Sequence, residues 1–233
     1  MIATKKTKIA IIDNSIDPSV YKPIEHWSAY LKAEWEAFRA PRHEFPDLKK
    51  GFTHVILTGS ESSILEREKW VDEEVAVVKE AFQINLPILG SCYGHQLLAL
   101  SLAGTAHVRR CQEPEIGWIP IEIRVANRLL GKKGRAFSFS LHFDEVVGLS
   151  EPFLVLASTA RCPIQAFGYK GKNIWGIQIH PEINPPAAQD LMKSFLNLNP
   201  RVRPLYEKAL GCEPKDSGLI HRVVREFLAY RFR

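Results

Sequence analysis

Apolar and polar positions alternate in two rhythms along the first hundred residues. "KIAIID" (8–13), "THVILTG" (53–59) and "LPILG" (86–90) are short aliphatic runs of strand length. Between them the spacing is helical. Ile24, Trp27, Tyr30 and Leu31 of "IEHWSAYLKAEW" fall on one face. "SSILEREKWVDEEVAVVKEAF" reads as a helix with Ser62 or Ser63 as its cap, and "HQLLALSLAG" as a helix that stops at Gly104. Strands alternating with helices predict an α/β fold, a mostly parallel central sheet with helices on both faces.

The rhythm then changes. From Gly117 to Ile179 short β-rich runs follow one another ("GWIPIEI", "RAFSFS", "FLVLAS", "IQAFGY"), and the turn "KGKN" joins the last of them to "IWGIQIH" as a hairpin. This is a β-rich insertion in the second half. "INPPAAQDLMKSFLNL" resumes as loop and helix, with Pro185 and Pro186 ahead of the helical part. The tail "DSGLIHRVVREFLAYRFR" carries apolar pairs at 219/220, 223/224 and 227/228, an amphipathic helix capped near Asp216 or Ser217. The predicted units are 1–198 and a basic helical extension, 199–233, packed on or docked to the first.

Composition excludes several classes. Hydrophobic residues make up 45% and charged residues 24%, ordinary values for a chain with a full core. The four cysteines (Cys92, Cys111, Cys162, Cys212) have no C-x-x-C spacing, which argues against a disulfide scaffold or zinc site and for a reducing compartment, the cytoplasm. "MIATKKTKIAIID" reads as a first strand, not a signal peptide, and no run reaches membrane-span length. The net charge is 31 − 26 = +5, of which residues 199–233 hold 8 − 4 = +4. The remainder is near neutral, so neither nucleic acid nor membrane is an expected partner, although the tail could touch an acidic surface.

The chemistry centres on "PILGSCYGHQ" (87–96). A strand, a glycine, a cysteine, a second glycine and a helix can present Cys92 at the tip of a tight turn. The helix N-terminus favours thiolate, and the Tyr93 amide can face a developing oxyanion. The other reading of Cys92 is a small apolar residue at a buried strand end. "IWGIQIHPE" supplies a base: the proline stops the strand at His180, and Glu182 stands two residues on, placed to hold the imidazole. Taken singly, His180 reads better as a satisfied strand-end histidine and Glu182 as a solvated loop carboxylate; the two gain weight as a base and its orienter only beside the cysteine turn.

Together these segments resemble the class I glutamine amidotransferases. "GSCYGHQ" is similar to their G-x-C-x-G-x-Q segment and "GIQIHPE" to their Q-x-H-P-E segment, 180 − 92 = 88 residues apart. "LTGS" (57–60), "EIGW" (115–118) and "SLHFDEV" (140–146) resemble the oxyanion loop, the entry to the β-rich middle and the S-H-x-D-x-V segment. The resemblance spans roughly 8–198 and implies a flavodoxin-like fold. It implies that Cys92 attacks the glutamine side-chain amide, that His180 passes the proton to leaving ammonia, and that Glu182 orients it. It implies Gly59 and Tyr93 as oxyanion donors, and a head group held by Gln96 and by the backbone at His142 and Phe143, with Ser60 and Asp144 beside it. No cofactor or metal is implied.

Two departures stand out. Ser60 and Glu61 follow Gly59 where the family usually has a second glycine or a proline, and Leu141 stands where serine is common. Ser60 and Glu61 are therefore expected to set which γ-glutamyl amide fits. No phosphate-binding loop of the G-x-x-x-x-G-K-[ST] type is present, so a separate synthetase subunit would receive the ammonia. The alternatives are a hydrolase of γ-glutamyl conjugates acting alone, and a catalytically silent binding or regulatory module. An α/β-hydrolase is disfavoured because Glu182 follows His180 in sequence. Trp70, Trp118 and Trp175 read as core or cleft walls, Cys111, Cys162 and Cys212 as structural thiols, and His95 as a first-turn helix residue.

Overall fold

The computed structural model of the protein describes residues 6–196 and 201–230. Among the described residues, nine strands form one sheet: β1 Lys8–Asp13, β2 Glu34–Arg39, β3 His54–Leu57, β4 Ile88–Ser91, β5 Val108–Ile123, β6 Gly134–Val146, β7 Phe153–Ser158, β8 Ala166–Tyr169 and β9 Ile174–Ile177. Their spatial order is β2-β1-β3-β4-β9-β8-β7-β5-β6. The first five in this order are parallel, and the other four continue the sheet antiparallel. The β-rich half is thus not a separate body. It extends the edge of the parallel sheet beyond β9.

Six α-helices among the described residues cover the sheet: α1 Pro23–Ser28, α2 Val71–Gln83, α3 Tyr93–Ala103, α4 Pro185–Leu196, α5 Arg203–Leu210 and α6 Leu219–Ala229. Successive strand side chains point to opposite faces, and β1 shows the consequence. Ala10 and Ile12 join a cluster with Val77, Val78 and Ala81 of α2 and Leu97 and Leu98 of α3. Ile9 and Ile11 join Trp27 of α1 and Ile220, Val223 and Phe227 of α6 on the other face. A third cluster, from Tyr21, Phe139, Met192 and Tyr206, lies beneath α4 and α5.

Several boundaries move from their predicted places. The helix read across Ile24–Trp35 ends at Ser28, and Glu34–Arg39 is the parallel edge strand β2. Its first four residues are exposed, so it lacks the apolar signature of a buried strand. Ser63 does cap a turn, accepting from the Leu65 amide, but that turn is a single 3₁₀ one; Arg67 adopts φ 51° and the helix proper starts at Val71. Pro185 and Pro186 lie inside the first turn of α4, where their missing N–H groups cost nothing. The tail helix starts at Leu219 behind Gly218, whose amide donates to Asp216, while Ser217 accepts from the Phe137 amide. Residues 1–5, 197–200 and 231–233, which include the ends of the first-strand, fourth-helix and tail readings, lie outside the described residues.

The apolar stripe of α6 faces its own chain: Val223 and Phe227 are fully buried. A packed Phe contributes about 3–5 kcal/mol relative to Ala. Phe227→Ala is therefore expected to lower the urea midpoint of the whole chain in one cooperative transition; an unchanged midpoint would mark 199–233 as an independent appendage.

Candidate active site

Three adjacent parallel strands deliver the candidate residues at their C-terminal ends, where α/β sheets open their crevices. Gly59 follows β3, Cys92 follows β4, and His180 follows β9. Cys92 has φ 49° and ψ −105°, a backbone region that L-residues rarely occupy and that costs roughly 1–3 kcal/mol. Its amide donates to Ile177 O (2.8 Å), and the Gly94 amide donates to Thr58 O (3.0 Å). The turn is thereby tied to both flanking strands. Gly94 is required by proximity, since a Cβ there would stand 2.3 Å from Leu57 O. Gly59 is equally confined: its Cβ would meet Tyr21 Oη at 2.7 Å and His180 Cε1 at 2.8 Å.

His180 and Glu182 are both buried. Glu182 Oε1 accepts from His180 Nδ1 at 2.8 Å and from the Ser91 hydroxyl at 3.5 Å. The His180 amide donates to Phe139 O (2.8 Å), which anchors the loop to β6. Burial alone would push the imidazolium down. The charges of Cys92 and Glu182, with hydrogen bonds to both, outweigh it and hold His180 at about 10. Cys92 Sγ lies 3.6 Å from Leu141 O, directed towards a cavity of about 570 Å³.

That cavity brings together Ser60, Cys92, Tyr93, Gln96, His142, Phe143, Asp144 and His180. Their side chains are not all free. The Gln96 amide donates to Asp144 O (2.9 Å) and to Gln178 Oε1 (3.2 Å), so it braces the 142–144 segment. Asp144 accepts from Ser63 Oγ (2.5 Å) and pairs with Arg110 (3.0 Å). Ser60 Oγ accepts from the Ser62 amide. The Glu61 carboxylate accepts from the Ile16 and Asp17 amides (2.8 and 3.1 Å), pinning the loop after β1, and burial holds it above its ordinary value.

Some contributors carried no sequence signal. Tyr21 stands edge-on to His180, with ring centroids 6.1 Å apart. Leu191 and Phe195 of α4, with Val202 and Tyr206, supply an apolar part of the cavity wall. Glu115, His142 and Cys162 make a second Cys–His–Glu group, with ligand atoms within 4.8 Å of one another. His142 Nε2 is 3.0 Å from Glu115 Oε2, and Thr159 and Gln165 also donate to that carboxylate. Burial pushes the Cys162 thiol up, and Cys162 does not line the cavity. Cys162 fits the structural-thiol reading, whereas Cys212 is exposed, contrary to it. A cation at this group would have to displace the donors that already satisfy Glu115, so the donor set does not favour a metal.

A nucleophile elbow at the head of a parallel sheet, facing a buried His–Glu pair across a cleft, defines the class of cysteine hydrolases built on α/β sheets. The family model for glutamine amidotransferase class-I matches residues 10–198, and the chain belongs to that family. It is 34% identical over 171 residues to a subunit of the glutamine-hydrolyzing GMP synthase of Saccharolobus solfataricus, covering 72% of this chain and 87% of that one. It is 36% identical over 151 residues to the glutamine-hydrolyzing GMP synthase of Caldicellulosiruptor saccharolyticus, covering 64% of this chain but 28% of that longer protein. The chain therefore spans between a quarter and a third of the length of that relative. Among solved structures, a glutamine amido transferase of Methylobacillus flagellatus superposes with a TM-score of 0.74 at 17% identity, covering 97% of this chain and 95% of that one. This likeness bears on the fold alone. Among the described residues, no helix is long and apolar enough to cross a membrane.

If His180 is the proton donor, kcat falls as pH rises through about 10, because the imidazolium is present below that value and lost above it. Glu182→Gln removes one of the two charges that sustain it, so the alkaline limb of the kcat profile is expected to shift to lower pH. An unmoved limb would detach Glu182 from His180.

Proposed function

We propose that the protein hydrolyses the side-chain amide of glutamine through a γ-glutamyl thioester on Cys92, and passes the ammonia to a separate synthetase subunit. The observation that carries this reading is the strained Cys92 turn sharing one cavity with His180, whose imidazole is held from behind by Glu182. In acylation, Cys92 Sγ attacks the amide carbon, and the tetrahedral oxyanion forms beside the Gly59 and Tyr93 backbone. His180 gives its proton to the leaving nitrogen as the C–N bond breaks. In deacylation, water attacks the thioester, His180 takes the water's proton, and the C–S bond breaks to release glutamate. Glu182 holds the imidazole in the tautomer with Nδ1–H throughout. Gln96, Ser60, His142, Phe143 and Asp144 shape the glutamine end of the cavity, Gln96 and Asp144 through the bracing described above.

The synthetase partner is proposed by analogy with the Saccharolobus solfataricus relative, a subunit of a glutamine-hydrolyzing GMP synthase. A second reading, hydrolysis of γ-glutamyl conjugates without an acceptor, is supported by the apolar wall of Leu191, Phe195, Val202 and Tyr206, which could seat a bulkier leaving amine. The active module, rather than a silent one, is favoured because every element of the elbow is intact.

Glutamate release is the decisive assay, run on glutamine and on a panel of γ-glutamyl peptides, with and without a synthetase. Cys92→Ala is expected to reduce release by at least about 10³-fold, while Cys162→Ala leaves the rate nearly unchanged. Loss of activity in Cys162→Ala alone would move the chemistry to the Glu115–His142–Cys162 group, and faster turnover of γ-glutamyl peptides than of glutamine would favour the second reading.

A further inference from the structure

A second cavity, of about 450 Å³, opens behind the Cys92–His180–Glu182 set, between α1 and α4. Lys22, Glu25, His26, Glu182, Asn184 and Asp190 supply much of its polar lining. Cys92 and His180 line the glutamine cavity and not this one; Glu182 lines this one and not the glutamine cavity. The residue that holds the base therefore has a cavity of its own at its back. Leu191 forms part of both walls.

Two polar atoms in this region lack a protein partner. Glu182 is 1% exposed; its Oε1 serves His180 and Ser91, and its Oε2 has no hydrogen bond. His26 Nδ1 is also buried and unpaired. Burial holds the His26 imidazole below its ordinary value, against a pull upward from Glu182 and with a push downward from His180, so the ring is neutral at pH 7. With its proton on Nε2, it offers a lone pair at Nδ1. A buried carboxylate oxygen without a donor is costly, so the site calls for a ligand rich in N–H groups. Glu25 and Asp190 add carboxylates to the lining, each paired with a lysine, Lys22 at 3.8 Å and Lys193 at 3.9 Å.

We propose that this second cavity binds a primary ammonium group, ammonium itself or a short alkylamine, against Glu182 Oε2 and His26 Nδ1. Such a cation has three or four N–H donors and no lone pair, which matches the two unpartnered acceptors. Bound there, it draws on the Glu182 charge that sustains the His180 imidazolium. The other groups facing His180 are Cys92, which also raises it, the Tyr21 and Phe139 rings, and neutral His26. Occupancy therefore lowers the pH at which His180 loses its proton. The binding stands on the cavity alone; its effect on rate rests on the glutaminase reading, under which ammonia is the product and the site slows turnover as product accumulates.

The test uses the full chain, with ammonium and methylammonium chloride as probes and sodium and tetramethylammonium chloride as controls at equal ionic strength. The histidine ring resonances are followed by ¹⁵N NMR, with His26 assigned through His26→Gln. Saturable movement of the His26 signal by the two probes and by neither control is expected. In glutamate release, inhibition noncompetitive with glutamine and an alkaline limb moved to lower pH are expected. Ala187→Trp, which fills part of the cavity from its wall, should weaken both responses roughly tenfold, equivalent to about 1.4 kcal/mol, without altering basal turnover. Should that variant fail to fold, Asp190→Asn keeps the shape, removes a lining charge and should weaken them in the same direction. Equal movement by sodium, an unmoved His26 signal, or a response untouched by both variants overturns the proposal, and purely competitive inhibition places the cation in the glutamine cavity instead. A chain that releases no glutamate refutes the glutaminase reading, while the His26 signal still decides the site.

Discussion

The left-handed backbone of Cys92 is the constraint on which the rest of the site depends. A residue at φ 49° stays there only when its surroundings over-determine it. Here they do so from both sides: the Cys92 amide is held by Ile177 at the end of β9, and the Gly94 amide by Thr58 beyond β3. Gly94 lies so close to Leu57 O that no side chain fits between them. The same contacts that hold the strained turn bring Gly59, Cys92 and His180 to one cleft, so the sheet's parallel half and the site are one construction.

The electrostatics follow from that placement. Burial opposes the charged form of His180, and only the pairing with Cys92 and Glu182 reverses it. A buried ion of this kind is costly to leave unpaired, which makes each member depend on the others. Glu182 in turn accepts from Ser91, the residue just before the cysteine, so the partner of His180 is tied to the Cys92 turn. The second group, Glu115–His142–Cys162, contains the same residue types without the same geometry. Its histidine is tied to Glu115, its thiol lies outside the cavity, and its turn has no comparable strain.

Much of this was legible in the residues. The strands β1, β3 and β4 are short buried aliphatic runs, and burial on both faces leaves them no polar alternation to confuse with helix. The elbow was readable because its glycines, cysteine and following helix occur in one continuous segment. What was not legible depends on contacts between distant residues. β2 is largely exposed and charged, and it is a strand only because β1 offers it an edge. Glu61, expected to set which amide fits, lines the cavity while its carboxylate also accepts from the Ile16 and Asp17 amides, a contact no local pattern marks. The wall from α4 and α5 and the cavity behind Glu182 arise only where helices pack, and no local pattern marks them.

The central claim is that Cys92 alone becomes the acyl carrier. The most direct measurement is covalent trapping with a chloroketone analogue of glutamine, followed by intact mass and peptide mapping. The account predicts one adduct per chain, on Cys92, suppressed by excess glutamine and slowed when Glu182 is replaced by Gln. An adduct on Cys162 or Cys111 instead, or labelling that glutamine and γ-glutamyl peptides leave untouched, would contradict it.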